Sequence, residues 1–268
     1  MWRHTWFAAI PAVVLWTSSA WAWSNGPPGN AFTNEASECD SPSYSTHDWI
    51  ADRALALLPA TESSWLVPHK TAYLLGTEAP DNRNMPTECT APHSGYDDRN
   101  LGHSVEWRNG WTEMHKDRAA HRAREEYNKA VAAHQAGNES DAAFYLGAMA
   151  HYVGDASQYG HAVTFEQHHG DYESWVKRRT TSFDAEPFAP YIEANDLVRR
   201  TPYTAVKRIS KATGQGKGKI LSASEMDELY SERPPKYIDS IGHSLNLGAN
   251  ELADVLHTFY LNIVAEGE

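Results

Sequence analysis

The stretch AAFYLGAMAHYVGD, residues 142–155, is apolar almost all the way round, yet it carries a histidine and an aspartate four positions apart. A helix without a polar side packs at the centre of a core, and residues i and i+4 project from the same face. His151 and Asp155 are therefore expected together inside the protein. An unpaired carboxylate there costs several kcal/mol, so the pair requires further polar partners from neighbouring elements.

The chain supplies candidates a few residues on, in ASQYGHAVTFEQHHGDYESW. His161 lies ten residues past His151, where a straight helix would turn it aside, but Gly160 signals that the helix has ended and the chain bends back. His169 and Glu173 then repeat the i, i+4 arrangement on another helix. Imidazole and carboxylate are the ligands Zn²⁺ accepts when thiolates are absent, and two such pairs with an intervening histidine furnish donors for more than one ion. With 14 histidines in the chain, such spacings also arise by chance. The apolar setting of His151 is what argues against chance.

Elsewhere the pattern is helical. Thr46 to Leu58 places Ile50, Ala54, Leu55 and Leu58 on one face, with Ser45 or Thr46 as cap and Pro59 as stop. Further helices are expected over 65–75, 116–136, 172–179, 193–198, 203–212, 224–230 and 247–265, and Ser140 or Asp141 is expected to cap the helix of His151. No convincing alternating strand pattern and no internal repeat is visible. The fold class is all-α, a single compact multi-helix domain.

At the start, MWRHTWFAAIPAVVLWTSSAWA puts Arg3 before an apolar run and ends on small residues around Trp21. It reads as a secretory signal over 1–22, its apolar run too short for the ~20 residues that span a bilayer. Cleavage would leave 23–268 as the mature, secreted or periplasmic chain, with Trp23 at its N-terminus. In an oxidising compartment Cys39 and Cys89 are expected to pair. A formal net charge of -12 argues against tight binding to nucleic acid or strongly anionic membranes.

These motifs resemble the zinc-dependent phospholipase C family, of which the zinc-dependent single-strand-specific nucleases are more distant relatives. The strongest piece is AAFYLGAMAHYVGDASQYGHA, matching the family's histidine, three residues, aspartate, five residues, histidine; HGDYESWV and THDWIADRA follow. The resemblance implies three Zn²⁺ ions in one cleft. Asp81, His103, His151 and Asp155 would hold one. His161, His169 and Glu173 would hold a second. Asp155 as a bridge, His47 and the free amino group and carbonyl of Trp23 would hold the third. His103 is preferred to His93 for its spacing to His151, and His169 to His168 because only His169 sits four residues before Glu173.

The activity so implied is hydrolysis of the glycerol-side phosphodiester bond of phospholipids by a metal-activated water, with Asp81 as general base or as ligand only. The partner is a phospholipid surface, with no nucleic acid, and the protein is expected to be a monomer. Choline-cleaving relatives have an acid close behind the N-terminal Trp and an aromatic after the aspartate. This chain has Gly26 and Asn82, so strict choline preference is not expected; Tyr96, Asp97 and Asp98 are alternative pocket residues or ordinary loop. A nuclease would place its second ligand only a few residues after the N-terminal Trp and end its last pair in aspartate. His47 lies far beyond that, and the last pair ends in Glu173. A non-catalytic metal- or lipid-binding module is the remaining alternative. No β-sandwich domain of the kind some relatives append is expected after the last helix.

Overall fold

In a computed structural model, residues 44–81 and 102–265 are described. Trp23, both cysteines, the leader, His93, Asn82 and the loop residues Tyr96, Asp97 and Asp98 lie outside them. The described chain is α-helical, as expected, apart from one short hairpin: α1 (Thr46–Ala56), α2 (Ala60–Ser63), α3 (Lys70–Glu78), β1 (Glu106–Arg108), β2 (Glu113–Lys116), α4 (Arg118–Gln135), α5 (Glu139–Asp155), α6 (His169–Lys177), α7 (Pro202–Gln215), α8 (Ala223–Leu229) and α9 (Pro235–Phe259).

The His151 helix, α5, sits at the centre. It packs on α4, α3, α1, α9 and α7, and Leu146, Met149, Tyr152 and Val153 are fully buried. It approaches α3 tightly, and glycine on both sides makes that possible. A Cβ added at Gly147 would meet the Tyr73 carbonyl oxygen at 1.9 Å, and one added at Gly76 would meet the Phe144 carbonyl oxygen at 2.0 Å. The helices therefore cross backbone to backbone. This brings Thr77, at the C-terminal end of α3, and Asp81, just beyond it, alongside His151.

The helix of His151 begins earlier than its expected cap, at Glu139 with Asn138 before it. It ends at Asp155, as Gly160 suggested, and a 3-10 turn over Tyr159–Ala162 redirects the chain and carries His161. The next helix also starts early, at His169 rather than Tyr172, so that His169 and Glu173 share α6. At the N-terminus, Ser45 caps α1, its backbone N–H donating to Asp48 Oδ2 at 2.9 Å.

Three expectations are corrected. Residues 106–116 hold an antiparallel hairpin where no strand pattern was expected, and the helix expected from Lys116 begins at Arg118; Asn109, Gly110 and Trp111 all take positive φ in the hairpin's turn, and the Asn-Gly dipeptide was its signal. The hairpin leads out of the segment of His103, where Val105 N–H donates to the His161 carbonyl at 2.9 Å and ties two candidate ligands to one framework.

Residues 193–198 are extended, not helical. The backbone N–H groups of Glu193, Asn195, Val198 and Arg200 donate to the side chains of Asn246, Asn250, Asp254 and Thr258, spaced four apart along α9. Twelve residues of helix rise about 18 Å, close to the ~21 Å that seven extended residues span. The strap thus satisfies its donors on α9 rather than within a helix of its own.

The last helix begins at Pro235 rather than near Leu247. Proline suits the first helical position, where its missing N–H costs nothing. Tyr237, Ile241, Leu245, Ala249, Leu252, Leu256 and Phe259 form its buried stripe. No described helix is long and apolar enough to cross a membrane.

Candidate metal centre

Eight of the nine candidate ligands lie among the described residues, and the fold gathers all eight. They come from α1 (His47), the chain after α3 (Asp81), the segment before β1 (His103), α5 (His151, Asp155), the 3-10 turn (His161) and α6 (His169, Glu173). Asp155, fully buried, is the point of convergence. Its Oδ2 lies 2.7 Å from His103 Nδ1 and 3.3 Å from His151 Nε2. Its Oδ1 lies 3.3 Å from His47 Nε2 and 3.8 Å from His161 Nε2.

Asp81 Oδ1 closes one side, 3.8 Å from His103 Nε2 and 3.7 Å from His151 Nε2. With its side chain 15% exposed, Asp81 is more open to solvent than Asp155 or Glu173. On the other side Glu173 Oε1 lies 3.4 Å from His161 Nε2 and 3.0 Å from His169 Nε2. His168, the competitor of His169, stacks on Tyr230 instead, with ring centroids 4.2 Å apart.

Tautomers are set from behind. His151 Nδ1–H donates to the Thr77 carbonyl at 2.7 Å, which turns Nε2 towards Asp155 and Asp81 as the nitrogen that gives up its proton when the ring is neutral. His169 Nδ1–H donates to Glu166 Oε1 at 3.0 Å, which turns Nε2 towards Glu173. Such outer partners are what orient imidazoles as metal ligands. Gln158 Nε2 also donates to Glu173 Oε1, at 3.3 Å. Sequence reasoning did not single out Glu166, Gln158 or Thr77. Glu166 was findable, three residues before His169, whereas the Thr77 carbonyl offered no signal because backbone acceptors carry none.

The protonation states follow from burial and neighbours. Burial raises the Asp155 carboxyl, but His151, His161 and His103 outweigh it and hold the group well below the usual carboxylate range. Burial would lower His151, yet Asp155 and Asp81 raise it to about 9. His47, stacked on His151 at 3.9 Å between ring centroids, is pushed down to about 3 by burial and by the His151 charge. Burial raises Asp81 against the pull of His151 and His103.

The donor set fits a metal. Both ring nitrogens of His47 and of His161, Asp155 Oδ1 and Glu173 Oε2 are buried with no hydrogen-bond partner. Native interiors rarely leave so many polar atoms unsatisfied in one place, and each costs about 1–3 kcal/mol unless something binds it. Three groups of ligand atoms lie within 4.8 Å of one another: His47, Asp81 and His151; His103, His151 and Asp155; and His161, His169 and Glu173. Nitrogen and carboxylate oxygen without sulfur suit Zn²⁺.

A helical domain whose buried centre is made of imidazoles and carboxylates from six segments defines a class of metal-dependent proteins. Within that class, the chain belongs to the zinc dependent phospholipase C family, whose model matches residues 46–242. No curated protein matches its sequence. Among solved structures it is similar to the alpha-toxin of Clostridium perfringens, avian strain SWCP, at 18% identity and a TM-score of 0.51, over 87% of this chain and 66% of the toxin. The alpha toxin of Clostridium absonum is similar at 19% identity and the same TM-score of 0.51, over 85% of this chain and 66% of that one. At these identities the likeness speaks for the fold. The chain spans about two thirds of the length of either toxin.

Proposed function

We propose that this protein is a phospholipase C that cleaves the glycerol-side phosphodiester bond of phosphatidylcholine, phosphatidylethanolamine or both, releasing diacylglycerol and a phosphorylated head group. The reading covers 23–268 as one catalytic domain, exported and trimmed at Ala22. The observation that carries it is the meeting of four imidazoles on Asp155, with Oδ1 buried and without a hydrogen bond.

Three Zn²⁺ would be held by this chain: one by Asp81, His103, His151 and Asp155, one by His161, His169 and Glu173, and one by Asp155, His47 and the amino nitrogen and carbonyl of Trp23. When bound, zinc supplies Lewis acidity towards phosphoryl oxygens and lowers the pKa of water towards neutrality. The protein's own residues do the rest. Asp155 would serve two of the ions, since its two oxygens face different histidines. Thr77 and Glu166 keep the Nε2 atoms of His151 and His169 aimed inward. Asp81, on the solvent side of the cluster, is placed to take a proton from the attacking water and to orient it at phosphorus. His47, His103, His151, Asp155, His161 and Glu173 are buried, which limits the access of bulk water to their side of the cluster.

Metal content per mature chain, N-terminal analysis and hydrolysis of phosphatidylcholine, phosphatidylethanolamine, sphingomyelin and single-stranded DNA test the reading on one sample. Three zinc ions, Trp23 at the terminus and cleavage of phosphatidylethanolamine at least as fast as phosphatidylcholine are expected. Fewer than two ions, or single-stranded DNA as the best substrate, would overturn it. Extra residues left ahead of Trp23 should remove one ion, because an amide nitrogen there is a far poorer ligand than an amine.

A further inference from the structure

Beside the metal centre, the outer side of α6 carries a continuous stack of cations and aromatic rings. Arg179 lies 3.7 Å from the Trp175 ring centroid, Arg233 lies 5.6 Å from Trp175 and 4.3 Å from Tyr230, and Tyr230 stacks on His168. On a helix of 3.6 residues per turn, Trp175 projects about 160–200° away from Glu173. One helix thus presents candidate ligands on one side and this stack on another, within the ~10 Å of a helix diameter.

The cations are uncompensated. Among the described residues Arg178, Arg179 and Arg233 have no carboxylate partner, unlike Arg53, Arg122, Arg200 and Arg208, which pair with acids. Arg233 Nε is buried without a hydrogen bond. Burial, then Arg178 and Arg233, lower the Arg179 pKa, so the charges repel one another. Holding three like charges together in a chain of net charge -12 is unfavourable unless an anion meets them.

Apolar exposure lies at the other end of the stack. Phe165 is 53% exposed, among the most exposed large apolar side chains described, and shares a groove with His168, Gln167, Ser224, Asp227 and Glu228. Of the two acids, Asp227 is engaged by the Gln167 N–H at 2.9 Å. A dissolved phosphate has no use for an exposed phenyl ring. A bilayer surface does, since Trp, Tyr and Arg favour the headgroup level while Phe inserts below it.

We propose that Arg178, Arg179 and Arg233, with the Trp175–Tyr230–His168 stack and Phe165, form a docking surface for bilayers containing anionic phospholipid. This rests on the phospholipase reading and adds a preference for surface charge that overall composition argues against. The two are compatible, because charges farther off than about 8–10 Å are largely screened at physiological salt and a local cluster decides contact.

The test is co-sedimentation of the zinc-loaded protein with vesicles of non-hydrolysable diether phosphatidylcholine, with and without diether phosphatidylglycerol. Phosphatidylglycerol should raise binding, and salt should reverse the gain. The triple variant Arg178→Gln/Arg179→Gln/Arg233→Gln should bind anionic vesicles roughly 100-fold more weakly, each cation at such a surface being worth roughly fivefold. The matching triple Lys variant should keep most of the binding, which separates charge from folding, and Phe165→Ser should weaken binding to both vesicle types. Equal binding of the Gln variant and the parent to anionic vesicles would overturn the proposal, as would stronger binding to single-stranded DNA than to vesicles. Hydrolysis of a soluble short-chain phosphatidylcholine should be unchanged in the Gln variant. If the parent fails to cleave that substrate, the failure falls on the proposed activity, because the binding arm requires no turnover.

Discussion

His47 Nε2 and Asp155 Oδ1 face one another at 3.3 Å across the contact of α1 and α5, both fully buried and neither hydrogen-bonded. His47 is neutral at ordinary pH and Asp155 is ionised. A neutral imidazole and a carboxylate aligned for no hydrogen bond gain little from each other. A cation between them gains from both.

Asp155→Asn should therefore remove more than one ion, because the amide keeps the shape but loses the charge and offers one acceptor oxygen where two were used. Since changing an outer partner alone costs about 10–100-fold in affinity or activity, hydrolysis should fall by more than ~100-fold. Elemental analysis of the purified variant, alongside its hydrolysis rate, reads both effects. Full metal content would sink the bridging role.

Glu166→Gln tests support from behind. The carboxylate accepts from His169 Nδ1, and an amide in its place holds the ring orientation more weakly. Zinc should dissociate about 10–100-fold more readily from one site while the unfolding midpoint of the loaded protein moves little. Competition with a chromogenic chelator measures this, and an unchanged release profile would count against the role.

Gly147→Ala should destabilise the whole domain. The added methyl meets the Tyr73 carbonyl oxygen at 1.9 Å, which forces α3 from α5. Overpacking costs about 1–3 kcal/mol and more where backbone must move. Urea unfolding of metal-free protein gives the size, and a loss below ~1 kcal/mol would mean the crossing is not tight.

In metal-free protein the pH dependence has two limbs. His151, raised to about 9 from 6.5, stabilises the fold fully below 6.5, and that contribution fades as pH rises through about 9. Asp155, lowered from 3.8, contributes fully above 3.8 and fades as pH falls through its depressed value. Metal-free stability from this pair should thus be greatest between the two, at mildly acidic pH. Zinc must displace the His151 proton, so binding near neutrality should release at least about one proton per chain and weaken on acidification. Calorimetric titration in buffers of different ionisation enthalpy measures the release. A release of none would show that His151 is not a ligand.

Much of the site was legible because helical spacing is a local property. His151 with Asp155, and His169 with Glu173, each lie on one face of one helix, and Gly160 marked the turn that carries His161. The strap over 193–198 was misread because non-local partners decided it, whereas the 106–116 hairpin was missed although Asn109-Gly110 was a local signal for its turn. Polar side chains of α9 satisfy the strap's donors, and the hairpin docks through Trp107 Nε1–H on Ser210.

By itself the sequence determined an all-helical class, the residue types of a nitrogen and oxygen metal centre and the family they resemble, since periodicity and spacing act within one element. Only the tertiary structure decided that Asp155 is the point where separate segments meet, that a backbone carbonyl of α3 accepts from His151 Nδ1, and that Arg233 joins the distant Arg179 at the Trp175 ring. Such relationships depend on how elements distant in sequence pack; for Thr77 and His151 the close packing rests on a glycine on each side of the contact between α3 and α5.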